Sequence, residues 1–315
     1  MIKSRKTKRS VMVSKVSICE VGPRDGLQSE PELLSTEVKK EFITRSINAG
    51  IKNIEVTSFV HPKKVPQMAD AEELVASLPN HDDVSYIGLI MNQRGFQRAK
   101  DCGIKEVGMV IVSTDTYNMK NQGVITQQSI DNWLEIADEA KSSGIRTNVL
   151  IACSFGCPYE GEVDPEHIAE IAEKVLKGNP DIIGLADSVG VAVPNQIKKT
   201  FSLIKELAPD LPLRTHLHNT RNTGLANAAA AIEAGVTIVD ASTGGIGGCP
   251  FAPKATGNIP TDDLLYMLNR SGIETGVDLN QIVENSEWLE SELGRAVPAM
   301  VPKAGIFPEN AEINM

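Results

Sequence analysis

This sequence predicts an α/β fold, a single (β/α)8 barrel with a C-terminal helical cap, and three observations carry that prediction. Short β-branched, apolar runs alternate with stretches of helical periodicity. Helix after helix closes on a glycine directly before the next strand. Eight candidate strands fit within 315 residues, where a barrel of this kind typically needs roughly 250. The G-x-G-x-x-G turn of an open dinucleotide-binding sheet is absent after the first strand, where Val21-Gly22-Pro23-Arg24-Asp25-Gly26 stands instead.

The chain opens with a basic tail, residues 1–15, carrying Lys3, Arg5, Lys6, Lys8 and Arg9 and no acid before Glu20. It has little apolar face and reads as a solvated tail rather than a presequence. Strand one is Val16–Val21. Ala49-Gly50-Ile51 then ends a helix and opens strand two, Asn53–Val56. Strand three is Tyr86–Met91, and Cys102-Gly103-Ile104 leads into strand four, Glu106–Val112. Ile130, Trp133, Leu134 and Ala137 mark a helix that Ser143-Gly144-Ile145 closes before strand five, Thr147–Ile151. Asp164-Pro165 is an N-cap followed by proline at the first helical position. The helix it starts has Ile168, Ile171, Ala172 and Val175 on one face and stops at Lys177-Gly178-Asn179-Pro180, before strand six, Asp181–Leu185. Strand seven is Leu213–His216. A helix with Leu225, Ala228, Ala229 and Ile232 on one face follows, and Ala234-Gly235-Val236 enters strand eight, Thr237–Asp240. From Gly276 the pattern changes to one helix, Leu279–Leu293, and an apolar Ala/Pro/Val tail. The expected organisation is a tail (1–15), a barrel (16–275) and a capping segment (276–315).

Composition narrows the function classes. With 41% hydrophobic and 23% charged residues the chain is an ordinary globular protein, and no stretch approaches a transmembrane helix. A net charge of −10 argues against a general nucleic-acid binder, since phosphate contact needs clustered cations. Five cysteines without C-x-x-C spacing suggest neither a disulfide framework nor a structural zinc site. A reducing, cytoplasmic compartment and small-molecule or protein partners are expected, with no nucleic acid or membrane.

In a barrel enzyme the chemistry sits where the strands end. Arg24 and Asp25 follow strand one, and Glu55 closes strand two ahead of Thr57 and Ser58. Asp187 follows strand six, and His216 and His218 stand at the end of strand seven. Alternation sends both imidazoles to one face. With Asp25 they make a set of one carboxylate and two imidazoles that leaves coordination positions open. Such mixed nitrogen and oxygen ligation with positions left for water or substrate oxygens suits Mg²⁺ or Mn²⁺, and ligand type leaves Zn²⁺, Co²⁺ and Fe²⁺ open. Beyond strand eight, Gly244–Pro250 holds four glycines and Cys249, either a mobile loop whose thiol exchanges a proton with substrate or a tight turn around a small hydrophobe. His61, His81 and His167 are expected at the surface. Lys63 and Lys64 could meet a phosphate or merely line a solvated loop.

These motifs together resemble a known family. Glu20–Gln28, Glu55-Val56-Thr57-Ser58-Phe59, Val65–Asp70, Cys157-Pro158-Tyr159-Glu160-Gly161, His216-Leu217-His218 and Gly244–Pro250 with Gly257-Asn258 resemble, in matching order from Ser17 to Val277, the 3-hydroxy-3-methylglutaryl-CoA lyases. The resemblance extends to the wider superfamily of metal-dependent TIM-barrel lyases and synthases. It implies a divalent cation held by Asp25, His216, His218 and Asn258, and an acyl-CoA substrate cleaved in retro-Claisen fashion. It also implies Arg24 at the developing enolate, Glu55 supporting the site, and Cys249 on a loop that closes over substrate. Ser58 and Asp187 fall near the acyl group, Asp187 or a water serves as base, and the chain assembles as a homodimer or larger homo-oligomer. Departures bear on the substrate. Gly184 replaces a serine usual in these lyases, and His218-Asn219-Thr220 replaces His-Asp-Thr. Citramalyl-CoA or a longer branched homologue is therefore an alternative to 3-hydroxy-3-methylglutaryl-CoA, with a Claisen-type synthase and a silent acyl-CoA binding protein behind them.

Overall fold

The computed structural model describes residues 14–248 and 257–307. Its strands are β1 (Ser17–Glu20), β2 (Asn53–Ser58), β3 (Ser85–Ile90), β4 (Glu106–Val112), β5 (Arg146–Ala152), β6 (Ile182–Asp187), β7 (Leu213–Leu217) and β8 (Ile238–Ala241). All neighbours are parallel and β8 closes on β1, giving a barrel in the order β1 to β8. The expected (β/α)8 fold is the fold observed. Core residues explain the apolar runs: Ile54, Val56, Val107, Val149, Ile183 and Val239 are buried against the surrounding helices.

The junction glycines behave as their position requires, with one exception. Gly50, Gly103, Gly144 and Gly235 take positive φ after their helices, but at the fourth junction Asn179 (φ 47°) takes it. Gly178 is there for a different reason, because a Cβ would lie 2.7 Å from Nε1 of the buried Trp133. Asp164 caps its helix by accepting from the Glu166 N–H. Several of the β→α connections carry more structure than the periodicity showed, among them a five-residue π-helical turn, Gly22–Gly26, and an extra helix, Asp115–Asn121.

The C-terminal helix, Leu279–Leu293, starts at Asp278, whose side chain accepts from the Asn280 and Gln281 N–H groups. Its Leu289 and Leu293, with Val297 and Ala299 beyond, pack on Leu27 and Ile246 from the loops after β1 and β8. The cap therefore braces the two loops that carry Asp25 and the glycine-rich run. Among the described residues no helix is long and apolar enough to cross a membrane.

Candidate active site

The turn after β1 builds the first part of the site. The Val21 carbonyl accepts from the N–H groups of Arg24, Asp25 and Gly26 at 3.2, 2.7 and 3.2 Å, which winds the chain tightly and buries both charged side chains. His216 comes from β7. His218 lies just past the strand's end, in an isolated antiparallel bridge with Asn258, so the backbone itself brings these two residues together.

The four side chains converge. Nε2 of His216 and Nε2 of His218 are 3.1 Å apart, and Asp25 Oδ2 stands 3.8 Å from the first and 3.9 Å from the second. Asn258 Nδ2 donates to Asp25 Oδ2 at 2.9 Å, while the buried Asn258 Oδ1 has no hydrogen-bond partner. Two ligand nitrogens each about 2.1 Å from a cation and at right angles to one another stand about 3 Å apart, the spacing of these two rings. A divalent cation would also use the orphaned amide oxygen and the carboxylate. The donor set thus fits a metal, and among the described residues Asp25, His216 and His218 form the group that could hold one.

Beneath these donors runs an ionic network. Arg24 is held by Asp25 Oδ1 (2.5 Å) and Glu55 Oε1 (2.6 Å). Glu55 Oε2 meets Arg214 Nη2 at 3.0 Å, and Arg214 grips Asp240 through Nε and Nη2 at 2.6 and 2.9 Å. Asp240 Oδ2 in turn lies 3.0 Å from His216 Nδ1, accepting a hydrogen bond from it and leaving Nε2 directed to where a cation would bind. Asp25, Glu55 and Asp240 carry three negative charges against two from Arg24 and Arg214, a deficit that a divalent cation would reverse.

Electrostatics follow this geometry. Burial pushes the Asp25 pKa up, but Arg24 and the two histidines outweigh it and hold the carboxyl down at about 2. Burial lowers the His216 pKa, yet Asp240 and Asp25 raise it above the ordinary value overall. Burial also works against the Arg214 guanidinium, and Asp240 foremost among its neighbours keeps it well above the usual range.

Arg214 and Asp240 were missed by sequence reasoning, although one signal was present. Period two puts Arg214 on the same strand face as His216, and Asp240 interrupts an apolar run in β8. Glu20 was noted only as part of a motif. It accepts from the Gly22 N–H, from the Thr243 N–H and hydroxyl, and from the Thr261 hydroxyl, tying β1 to the start of the glycine-rich loop.

The site opens into a cavity of about 1160 Å³ at the C-terminal ends of the strands, which Arg24, Asp25, His216, His218, Gly247 and Gly248 help to line. His61 and Lys64 are exposed, as expected of a surface loop, and both also line the rim of this cavity, whereas Lys63 does not line it. Glu55 and Ser58 share the inner wall because a register shift in β2 between Glu55 and Thr57 resets the alternation. Ser58 pairs in register with Leu89, and its buried hydroxyl has no hydrogen-bond partner.

Asp187 does not join the site. β6 runs two residues further than its apolar core suggests, Ala186 pairs with His216 on the inner face, and Asp187 therefore points away from the cavity. Its two oxygens accept from the N–H groups of Val191 and Ala192 at 3.0 and 2.9 Å. The expectation that it is the base is corrected on that geometry. Cys249 lies outside the described residues.

Comparison with known proteins agrees with this reading. The family described as HMGL-like matches residues 15–289. An (R)-citramalyl-CoA lyase of Chloroflexus aurantiacus is 40% identical over 93% of this chain and 96% of its own. A hydroxymethylglutaryl-CoA lyase of Bacillus subtilis is 36% identical over 90% of this chain and 95% of its own. The structure of an HMG-CoA lyase from Acinetobacter baumannii, in complex with coenzyme A and 3-methylmalate, superposes with a TM-score of 0.91 at 37% identity, covering 96% of this chain and 99% of that one. With its barrel, its donor set and these relatives, the chain belongs to the HMGL-like family and is a carbon–carbon lyase.

Proposed function

We propose that this lyase cleaves 3-hydroxy-3-methylglutaryl-CoA to acetyl-CoA and acetoacetate. The observation that carries the reading is the convergence of Asp25, His216 and His218 beside the Arg24 guanidinium in one open cavity. Asp25, His216, His218 and Asn258 would hold Mg²⁺ or Mn²⁺, which when bound lowers the pKa of the substrate's tertiary hydroxyl and fixes its orientation. Arg24, pinned by Asp25 and Glu55, faces the thioester oxygen on which charge gathers as the C–C bond breaks, a contribution of roughly 3 kcal/mol or more. With Asp187 turned to the backbone, a water in the cavity takes the hydroxyl proton. Ser58 offers its unpartnered hydroxyl to the acyl group. Cys249, which follows directly on the cavity-lining Gly247 and Gly248, returns a proton to the enolate carbon. Lys64 and Arg94, exposed at the cavity's rim, suit the phosphates of CoA, a ligand present in the A. baumannii enzyme's structure. A homodimer or larger homo-oligomer is part of the same proposal and would be read by analytical ultracentrifugation.

A second reading is (R)-citramalyl-CoA cleaved to acetyl-CoA and pyruvate, supported by the 40% identical relative and by Gly184. A Cβ there would lie 2.4 Å from Leu150 Cδ2, so the hydroxyl usual at this place in the family is sterically shut out. Mass spectrometry of products from each thioester, with Mg²⁺ or Mn²⁺ and with a chelator, separates the two. Acetoacetate lost on chelation supports the first reading, pyruvate alone the second, and no product from either refutes both. His216→Ala should lose turnover and metal binding while its circular dichroism stays unchanged; wild-type activity in that variant would overturn the donor assignment.

A further inference from the structure

At the level of the strands, below loop residues such as Asn92, Asn121, Gln122 and Ser188 that also line the cavity, the inner wall has a polar and an apolar side. Residues paired across parallel strands share a face, so the registers sort the inner wall. His216 pairs with Ala186, Arg214 with Gly184, Gly184 with Leu150, and Leu150 and Ala152 with Val110 and Val112. The ionic groups beside the cavity come from the turn after β1 and from β2, β7 and β8, while Glu106 of β4 and Asn148 of β5 meet Arg214's network deeper in the barrel. Across from them, the residues of β3 to β6 that line the cavity are Leu89, Val110, Val112, Leu150, Ala152 and Ala186, all of them apolar.

Gly184 shares the inward strand face with Ala186 without lining the cavity itself. A Cβ at that position would lie 2.4 Å from Leu150 Cδ2 and 2.7 Å from the Arg214 carbonyl oxygen, so the glycine yields its volume to Leu150 and to the strand that carries Arg214. Ala186, in register with His216, begins the apolar face directly beside the metal donors.

A substrate whose tertiary hydroxyl sits at Asp25, His216 and His218, with its thioester toward Arg24, turns a remaining substituent of the carbinol carbon onto Ala186 and its neighbours. A methyl group would leave most of that wall facing water. We infer that the site is built for an alkyl group longer than methyl on the carbinol carbon, so that its substrates are 3-alkyl-3-hydroxyacyl thioesters of CoA. The inference rests on the lyase reaction proposed above. In that reaction the hydroxyl proton leaves to the base, the C2–C3 bond breaks with its electron pair passing into the thioester enolate, and C2 regains a proton. The products are acetyl-CoA and an oxo acid that keeps the alkyl group.

The test uses purified Mn²⁺-loaded protein with 3-hydroxy-3-methyl-, 3-ethyl- and 3-propylglutaryl-CoA, reading kcat/KM from acetyl-CoA release. Each methylene moved from water onto the wall is worth roughly fourfold, so the propyl thioester, with two more, should exceed the methyl one by about fifteenfold. Ala152→Leu should lower the propyl-to-methyl ratio tenfold or more, and Val112→Ala should raise it. A ratio is independent of the folded fraction of each variant. A wild-type ratio at or below one overturns the inference and leaves the methylglutaryl reading standing, whereas no cleavage of any of the three removes both.

Discussion

Arg214→Met is the perturbation that most directly probes how the site is held. The guanidinium, 1% exposed, makes four hydrogen bonds: to Asp240 at 2.6 and 2.9 Å, to Glu55 at 3.0 Å and to Asn148 at 2.9 Å. Methionine keeps much of the aliphatic stem and removes the charge. Glu55 then retains Arg24 and Asp240 retains His216, but each buried carboxylate has lost its shared cation. Removing one partner of a buried pair costs about 3–5 kcal/mol, a large fraction of the roughly 5–15 kcal/mol that holds a domain folded. At about 2–4 °C per kcal/mol in a chain of this size, Tm should fall by about 6–20 °C. Urea unfolding of the metal-free protein, followed by circular dichroism, measures the loss. The double variant Arg214→Met/Asp240→Asn should recover part of it, because the stranded charge goes too. A single-variant loss below about 1 kcal/mol, or a double variant that costs the full sum, would refute the view that this network is a charge-paired unit.

Three further outcomes follow from individual contacts. Asp187→Asn places an amide where two backbone N–H groups donate, so stability should drop by about 1–3 kcal/mol while kcat stays within tenfold. A thousandfold fall in kcat would restore Asp187 as the base. Gly184→Ser forces a Cβ against Leu150 and the Arg214 carbonyl, an overpacking expected to cost about 1–3 kcal/mol. Leu150→Ala in the same chain should relieve the side-chain share of that cost, and denaturant midpoints that do not move apart would contradict the packing argument. Burial raises the Glu20 carboxyl from the ordinary 4.5 to about 7 against the hydrogen bonds it accepts from Thr243, Thr261 and Gly22. The folded chain therefore holds this proton more tightly than the unfolded chain. That stabilisation is complete below pH 4.5 and is lost as pH rises through 7, about 3 kcal/mol in all. Wild-type unfolding free energy should fall over this window relative to Glu20→Gln; parallel profiles would disprove the assignment.

How much of the protein was legible in the sequence depended on how far each signal reaches along the chain. The alternation of strand and helix, the Asp164-Pro165 start, the helix Leu279–Leu293 and four of the five helix-closing glycines are written within one or two turns of backbone, and they appear where the local pattern places them, with Asn179 taking the turn beside Gly178. The pairing of His216 with His218 is equally local, a spacing of two at the end of a strand. Asn258 was nominated by resemblance alone. Its meeting with Asp25, 233 residues away, is made by the bridge to His218.

The remaining features were decided by tertiary structure. Which way a strand residue faces depends on where the strand ends and on any shift in its register, and both are set by the neighbouring strand. Because β6 continues through Asp187, alternation holds that side chain outward with Leu185, and a bulge in β2 placed Ser58 on the same wall as Glu55. Arg214, Glu55, Asp240 and Asn148 lie on four different strands. No segment of sequence records that they meet, because only closure of the barrel removes water from all four together and makes each the other's required partner. The apolar side of the inner wall has the same origin. Leu89, Val110, Leu150 and Ala186 are ordinary core residues in their own strands, and their common exposure to one cavity beside a polar donor set exists only in the assembled sheet.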